Sequence, residues 1–265
     1  MIQRWLRFAS QGEIRLGTLE DGTITEYAGD MFAGATPTGR HYPLDAVRLL
    51  APCQPGKMIG LWNNFHERAK AEKLHLPQHP LYFLKSANCF AGPGDTIRRP
   101  AGYDGMIVFE GELGIVIGRR CARLSRDDAR QAIFGYTCVN DVTARDLLRT
   151  DPAFVHWTRA KGFDTFGVFG PCIATGIDPQ TLAVRVLLSG AEKQNYPVSD
   201  MIFSPEEIVS RLSWDMTLEP GDVIACGTSV GVCAMQEGDT VEVIIDGIGR
   251  LTNVFGPPAE PGTRP

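Results

Sequence analysis

The chain has 265 residues, 43% hydrophobic and 22% charged, with a formal net charge of -5. That length admits one large domain with a substantial core, and the composition excludes disorder over most of the chain. The acidic balance argues against nucleic acid or an anionic membrane as partner, since both reward a basic face.

Residues 1–55 alternate apolar and polar positions broken by turn residues, as in Glu13-Ile14-Arg15-Leu16 and then Asp21-Gly22. This pattern is the signature of short hairpin strands. A small N-terminal β subdomain is expected there, ending at Pro52, Pro55 and Gly56. Next come a predicted strand at 58–61, a helix at 66–74, a strand at 81–84, a loop rich in Gly and Pro, and a strong strand over 107–117. A helix over 125–134 takes Ser125 as its N-cap. Asp127 and Asp128 in its first turn meet the positive end of the helix dipole. Further strands are predicted at 136–139, 183–188, 223–226 and 241–245, and a helix at 205–212 whose first position suits Pro205. The tail 257–265, PPAEPGTRP, is too rich in Pro and Gly to pack. The expected fold class is mainly β with some α (α+β).

Seven cysteines, an odd number with no Cys-x-x-Cys pair, predict free buried thiols in a reducing cytoplasm, not a disulfide framework or a zinc knuckle. The N-terminus has no apolar signal core, and no stretch nears the roughly 20 apolar residues of a membrane span. A cytoplasmic protein is expected. Trp5, Trp62, Trp157 and Trp214 read as core or interface residues.

Glu110 and Glu112 interrupt the apolar run at 107–117, and strand periodicity sends both to one face. Both faces of that run are otherwise apolar, as in a strand covered on either side. Two carboxylates there meet a desolvation cost of several kcal/mol each unless a cation compensates them. The alternative is that this end of the strand is open to water, which is the default for carboxylates. Asp141 adds a third, where the apolar stretch Tyr136-Thr137-Cys138-Val139 ends. Three hard oxygen donors suit Mg²⁺ or Mn²⁺ better than Zn²⁺.

Several motifs occur in order: Phe109-Glu110-Gly111-Glu112-Leu113, Asn140-Asp141-Val142-Thr143-Ala144-Arg145-Asp146, Lys161-Gly162-Phe163-Asp164, Pro220-Gly221-Asp222-Val223 and Gly227-Thr228-Ser229. Together they resemble the fumarylacetoacetate hydrolase superfamily, in particular its acylpyruvase-like and 2-hydroxyhepta-2,4-diene-1,7-dioate isomerase-like members. The resemblance implies a central rolled β-sheet, a catalytic domain over 56–256 and a homodimer. It also implies one Mg²⁺ or Mn²⁺ held by Glu110, Glu112 and Asp141. Lys161 would then be a catalytic or substrate-polarising cation, with Arg145 and Thr228 near the substrate.

His66 falls where relatives place a histidine that works with a glutamate three residues later, and Ala69 stands at that second position. A histidine without an orienting carboxylate is a weaker general base. His66 therefore has two readings, a base for attacking water or a histidine on a helix surface.

The expected function is metal-dependent hydrolysis of a C–C bond in a small acylpyruvate-like 1,3-diketo acid through a metal-stabilised enolate. Isomerisation or decarboxylation of an unsaturated oxo-diacid in aromatic degradation is the alternative, since it passes through the same enolate. A scaffold without turnover is a third reading, because fold does not fix function. The three carboxylates together with Lys161 and Arg145 count against it, since a scaffold has no need for a costly charged cluster. A glycosidase is disfavoured because side chains at i and i+2 on one strand lie side by side and cannot flank a sugar bond.

Overall fold

The structure is a computed structural model that describes residues 2–260. Its largest sheet has twelve strands. The main path runs Gly34–Pro43, Thr23–Asp30, Glu13–Glu20, Gln3–Ser10, Gly167–Thr175, Ile133–Asp141, Gly111–Ile117, Val223–Ala225, Met58–Trp62 and Leu81–Lys85. A five-stranded sheet is built from Ala191–Pro197, Ala183–Leu188, Thr240–Ile245, Gly249–Gly256 and Ile97–Arg98, and a two-stranded ladder joins Ile107–Val108 to Thr143–Ala144. The fold is thus mainly β with few helices.

The N-terminal hairpins do not stand apart from this frame. Gln3–Ser10 pairs antiparallel with Gly167–Thr175, so the first strands extend the main sheet. Of the predicted tail, 257–260 has no regular structure, and 261–265 lies outside the described residues.

Among the described residues, four α-helices pack around the sheets: α1 (His66–Ala71), α2 (Arg126–Ala132), α3 (Trp157–Lys161) and α4 (Pro205–Asp215). Ser125 caps α2 by accepting from Asp128 N–H at 3.2 Å, and Ser204 caps α4 with Pro205 at its first position. Each cap satisfies one of the orphan amides of a first turn, worth about 1 kcal/mol. None of these helices is long and apolar enough to cross a membrane.

The strand Gly111–Ile117 lies between two apolar clusters, and every residue of it is buried. Leu113, Ile115 and Ile117 point into the larger cluster, with α2 and α4 beyond it. Val116 joins Val139, Met58 and Ala225 in the smaller one. A strand covered on both faces leaves no room for an uncompensated charge.

The predicted strand 107–117 is broken. Phe109 and Glu110 lie between Ile107–Val108 and Gly111–Ile117, because the first piece pairs with Thr143–Ala144 and the second with Ile133–Asp141. The predicted helix 66–74 ends at Ala71. Unpredicted elements include the strands Gly167–Thr175 and Gly249–Gly256 and the helix α3.

Candidate metal and substrate site

Register explains how the three carboxylates meet. Gly111 stands opposite Asn140, and Glu112 opposite Val139. Residues directly opposite share a face of the sheet, so Asp141, two positions past Val139, emerges on the face of Glu112. The Glu110 carbonyl accepts from the Asp141 N–H at 2.9 Å, and the Glu110 N–H donates to Asn140 Oδ1 at 3.1 Å. One oxygen from each of Glu110, Glu112 and Asp141 falls within 4.8 Å of the others. Gly111 between the two glutamates is required by crowding on the opposite face, where a Cβ would lie 2.2 Å from Val186 Cγ2.

Two lysines neutralise part of this charge. Lys161, at the end of α3, places Nζ 2.9 Å from Glu110 Oε2, 2.5 Å from Asp141 Oδ2 and 2.7 Å from Thr143 Oγ1. Lys85, on the last strand of the main sheet, donates to Asp141 Oδ1 at 2.5 Å and to the Lys161 carbonyl at 2.7 Å. Lys161 Nζ also lies 5.0 Å from the Phe83 ring centroid, and Trp157 at the start of α3 stacks on the same ring with centroids 5.0 Å apart. The aromatic stack thereby helps to hold the lysine in place.

Burial would raise the Asp141 pKa, but Lys161 and Lys85 outweigh it and hold the carboxyl below its ordinary value. Burial would lower Lys161, yet Asp141, Glu110 and Glu112 keep it above the usual lysine value. Glu112 differs. Burial pushes its pKa well up, Asp141 and Glu110 push it further, and Lys161 and the Gly227 N–H oppose them without prevailing. That N–H meets Glu112 Oε2 at 2.7 Å, aimed by a backbone φ of +88° that favours glycine.

Glu112 Oε1 is buried and finds no hydrogen-bond partner among the described residues. A buried acceptor left unpaired is costly. Three hard carboxylate oxygens in reach of one another, one of them unsatisfied, fit a divalent cation.

The sequence-predicted residues do not all converge. Arg145 lines a cleft of about 910 Å³ together with Glu110, Thr143, Arg68, Glu72, Trp62 and Trp157. Thr228 is buried, and its hydroxyl donates to the Gly111 carbonyl at 2.9 Å while accepting from Gln194 Nε2 at 2.9 Å. Gln194 Oε1 accepts from the Gly111 N–H at 3.1 Å, and the Tyr196 hydroxyl also donates to the Gly111 carbonyl. These contacts fix the Glu110-Gly111-Glu112 turn from behind. His66 is exposed at the first position of α1 and is not among the residues lining the cleft. Trp62 and Trp157, taken from sequence as core or interface residues, form part of the cleft wall.

Lys85 and Arg68 were missed. Lys85 has a weak signal, a lysine closing the apolar strand Leu81–Lys85. Arg68 had none beyond its i,i+4 spacing to Glu72.

Residues 3–52 match the family model "Rv2993c-like, N-terminal". The chain is similar to a 2-hydroxyhepta-2,4-diene-1,7-dioate isomerase from Mycobacterium marinum, at 40% identity and a TM-score of 0.89 over 97% of this chain and 100% of that one. It is 37% identical to the oxaloacetate tautomerase YisK of Bacillus subtilis over 81% of this chain and 75% of the relative. A maleylpyruvate hydrolase from Sphingobium sp. SYK-6, in complex with manganese(II) and pyruvate, superposes with a TM-score of 0.80 at 26% identity, over 97% of this chain and 100% of that one. Residues 57–255 match the model for the fumarylacetoacetate (FAA) hydrolase C-terminal family, and the chain belongs to that family.

Proposed function

We propose that this protein is a metal-dependent enzyme that forms the enolate of a small 2-oxo acid, and that its reaction is hydrolysis of a C–C bond in an acylpyruvate-like 1,3-diketo acid. The observation that carries the proposal is the trio of half-buried Glu110 with buried Glu112 and Asp141, together with the unpaired Glu112 Oε1. The relatives named above, an isomerase, a tautomerase and a hydrolase of oxo acids, support the substrate class.

Glu110, Glu112 and Asp141 would hold Mg²⁺ or Mn²⁺. When bound, such an ion supplies Lewis-acid polarisation to an oxo-acid's oxygens. Lys161 keeps its positive charge behind Glu110 and Thr143, which line the cleft, and would offset negative charge developing on an enolate oxygen there. Lys85 and Thr143 fix Lys161 and Asp141 in place. The aromatic wall of Trp62, Phe83 and Trp157 shelters the site from water, and Arg145 adds positive charge at its rim.

Isomerisation, tautomerisation or decarboxylation of an oxo-diacid is a second reading, favoured by one observation. His66 is exposed, and Ala69 stands where an orienting carboxylate would sit, so the helix offers no formed dyad to activate water. Purified protein with Mg²⁺ or Mn²⁺ is given acylpyruvates and, separately, oxaloacetate and an oxo-diene diacid, and the loss of enol ultraviolet absorbance is followed. Cleavage of an acylpyruvate supports the first reaction. Turnover of the diacids alone supports the second.

A homodimer is proposed as well, because Leu81, Tyr82 and Leu84 are exposed on the last strand of the main sheet. A solution mass of twice the 29.0 kDa chain by light scattering supports it, and a monomer overturns it.

A further inference from the structure

The helix α1 brings one basic side chain to the cleft, and it is Arg68. Arg68 lines the cleft beside Glu110, with its side chain only 14% exposed. Its Nε donates to Glu72 Oε1 at 3.0 Å, and its Nη1 donates to the Thr228 carbonyl at 3.5 Å. Burial would lower its pKa, but Glu110, Glu72 and Glu112 more than offset this, so the guanidinium stays charged in a partly dry cleft.

Its partner is different in kind. Glu72 caps the C-terminal end of α1 with a side chain 43% exposed. A solvated i,i+4 pair is weak, whereas an arginine fork gripping a carboxylate out of water is strong and directional. Arg145 and Arg149 line the same cleft, but both are exposed, and among the described residues neither forms a salt bridge with a carboxylate. Arg68 is the cleft arginine on which a carboxylate is already seated.

We propose that Arg68 binds the carboxylate of the substrate, and that Glu72 is a stand-in carboxylate which the substrate displaces. This rests on the reading that an oxo acid enters the cleft. Binding then exchanges one ion pair for another, with no covalent change. The two residues therefore act with opposite signs on affinity, although they form a single salt bridge.

The test uses the full-length protein loaded with Mn²⁺ and oxalate as the probe, followed by isothermal titration calorimetry. Arg68→Met is expected to weaken oxalate about 10- to 100-fold, the range for a lost charge-assisted hydrogen bond. Glu72→Gln is expected to strengthen it about two- to fivefold by removing the competitor, and to have no effect once Arg68 is Met. Arg68→Lys, which keeps the charge without the fork, is expected to fall between.

Wild-type oxalate affinity in Arg68→Met overturns the proposal, and so does weakening by both single variants, the result of a purely structural pair. A Mn²⁺ titration without oxalate is expected to show no loss of metal affinity in Arg68→Met. A parallel loss there also overturns it. Oxalate is not turned over, so failure to cleave an acylpyruvate removes the proposed reaction and leaves this titration to decide on Arg68.

Discussion

In the N-terminal hairpins, Glu26 is bonded by Arg15 at 2.8 Å and Arg40 at 2.6 Å, with the Tyr42 hydroxyl 3.2 Å away. At the end of Ile133–Asp141, Asp141 is bonded by Lys161 and Lys85 at 2.5 Å each. Each centre is a carboxylate between two cations, and each of these two carboxylates is nearly or wholly inside the protein, although Arg40 is exposed. The difference is the charge that remains. Around Glu26 two anions meet two cations, because Glu13 shares Arg15, and both Glu26 oxygens are bonded. Around Asp141, three carboxylates share two lysines, and Glu112 Oε1 is bonded to nothing described. Surplus negative charge with an unsatisfied buried acceptor makes the second centre one that fits a further cation, while the first is complete as a structural tie.

Asp141→Ala tests this difference most severely. It leaves two buried lysines without their shared partner and should destabilise the protein by about 3–5 kcal/mol, as read by urea denaturation. Mn²⁺ binding, measured by calorimetry, should be lost with it. Retention of wild-type Mn²⁺ affinity would dismiss the trio as a metal site.

Lys85→Met removes one of the two cations on Asp141 while Lys161 stays. A cost of about 2 kcal/mol is expected, in the range of a hydrogen bond to a charged group, with Mn²⁺ still bound because every carboxylate remains. Unchanged stability in that variant would mean that Lys85 does not hold the cluster together.

For the hairpin cluster, Glu26→Gln should cost about 1 kcal/mol at neutral pH. Although burial opposes it, bonding to Arg15 and the charge of Arg40 hold the Glu26 carboxyl below its ordinary value. A carboxyl with a lowered folded pKa stabilises the protein above its unfolded pKa and ceases to do so as pH falls through the folded one. The melting-temperature gap between wild type and Glu26→Gln should therefore be steady from pH 7 to about pH 5 and close below about 4.3. A gap that persists at pH 3 would show that the pair contributes through packing and not through charge.

Glu112→Gln has the smallest expected effect on stability. Because Glu112 is the surplus carboxylate, neutralising it should leave the metal-free protein as stable as wild type or slightly more so, while weakening Mn²⁺ binding. Destabilisation comparable to Asp141→Ala would erase the distinction between a tied carboxylate and a spare one.

Local chemistry in the chain determined much of this protein. Glu110 and Glu112 inside an apolar run, and Asp141 where another run ends, are legible because strand alternation and desolvation cost act on neighbouring residues. Ser125 before α2 and Pro205 at the first position of α4 are legible for the same reason.

What the sequence could not decide depends on residues far apart in the chain. Lys85 reaches Asp141 across 56 positions, and Gly227 reaches Glu112 across 115. The break at Phe109 and Glu110 follows from two different strand partners, which no local pattern encodes. The face of α1 turned to the cleft, with Arg68 lining it and His66 exposed, is set by how that helix packs, with Phe65 edge-on to Tyr196 and Ala69 buried. Periodicity reports which residues share a face of an element, and only packing of that element against the rest of the molecule decides where the face looks.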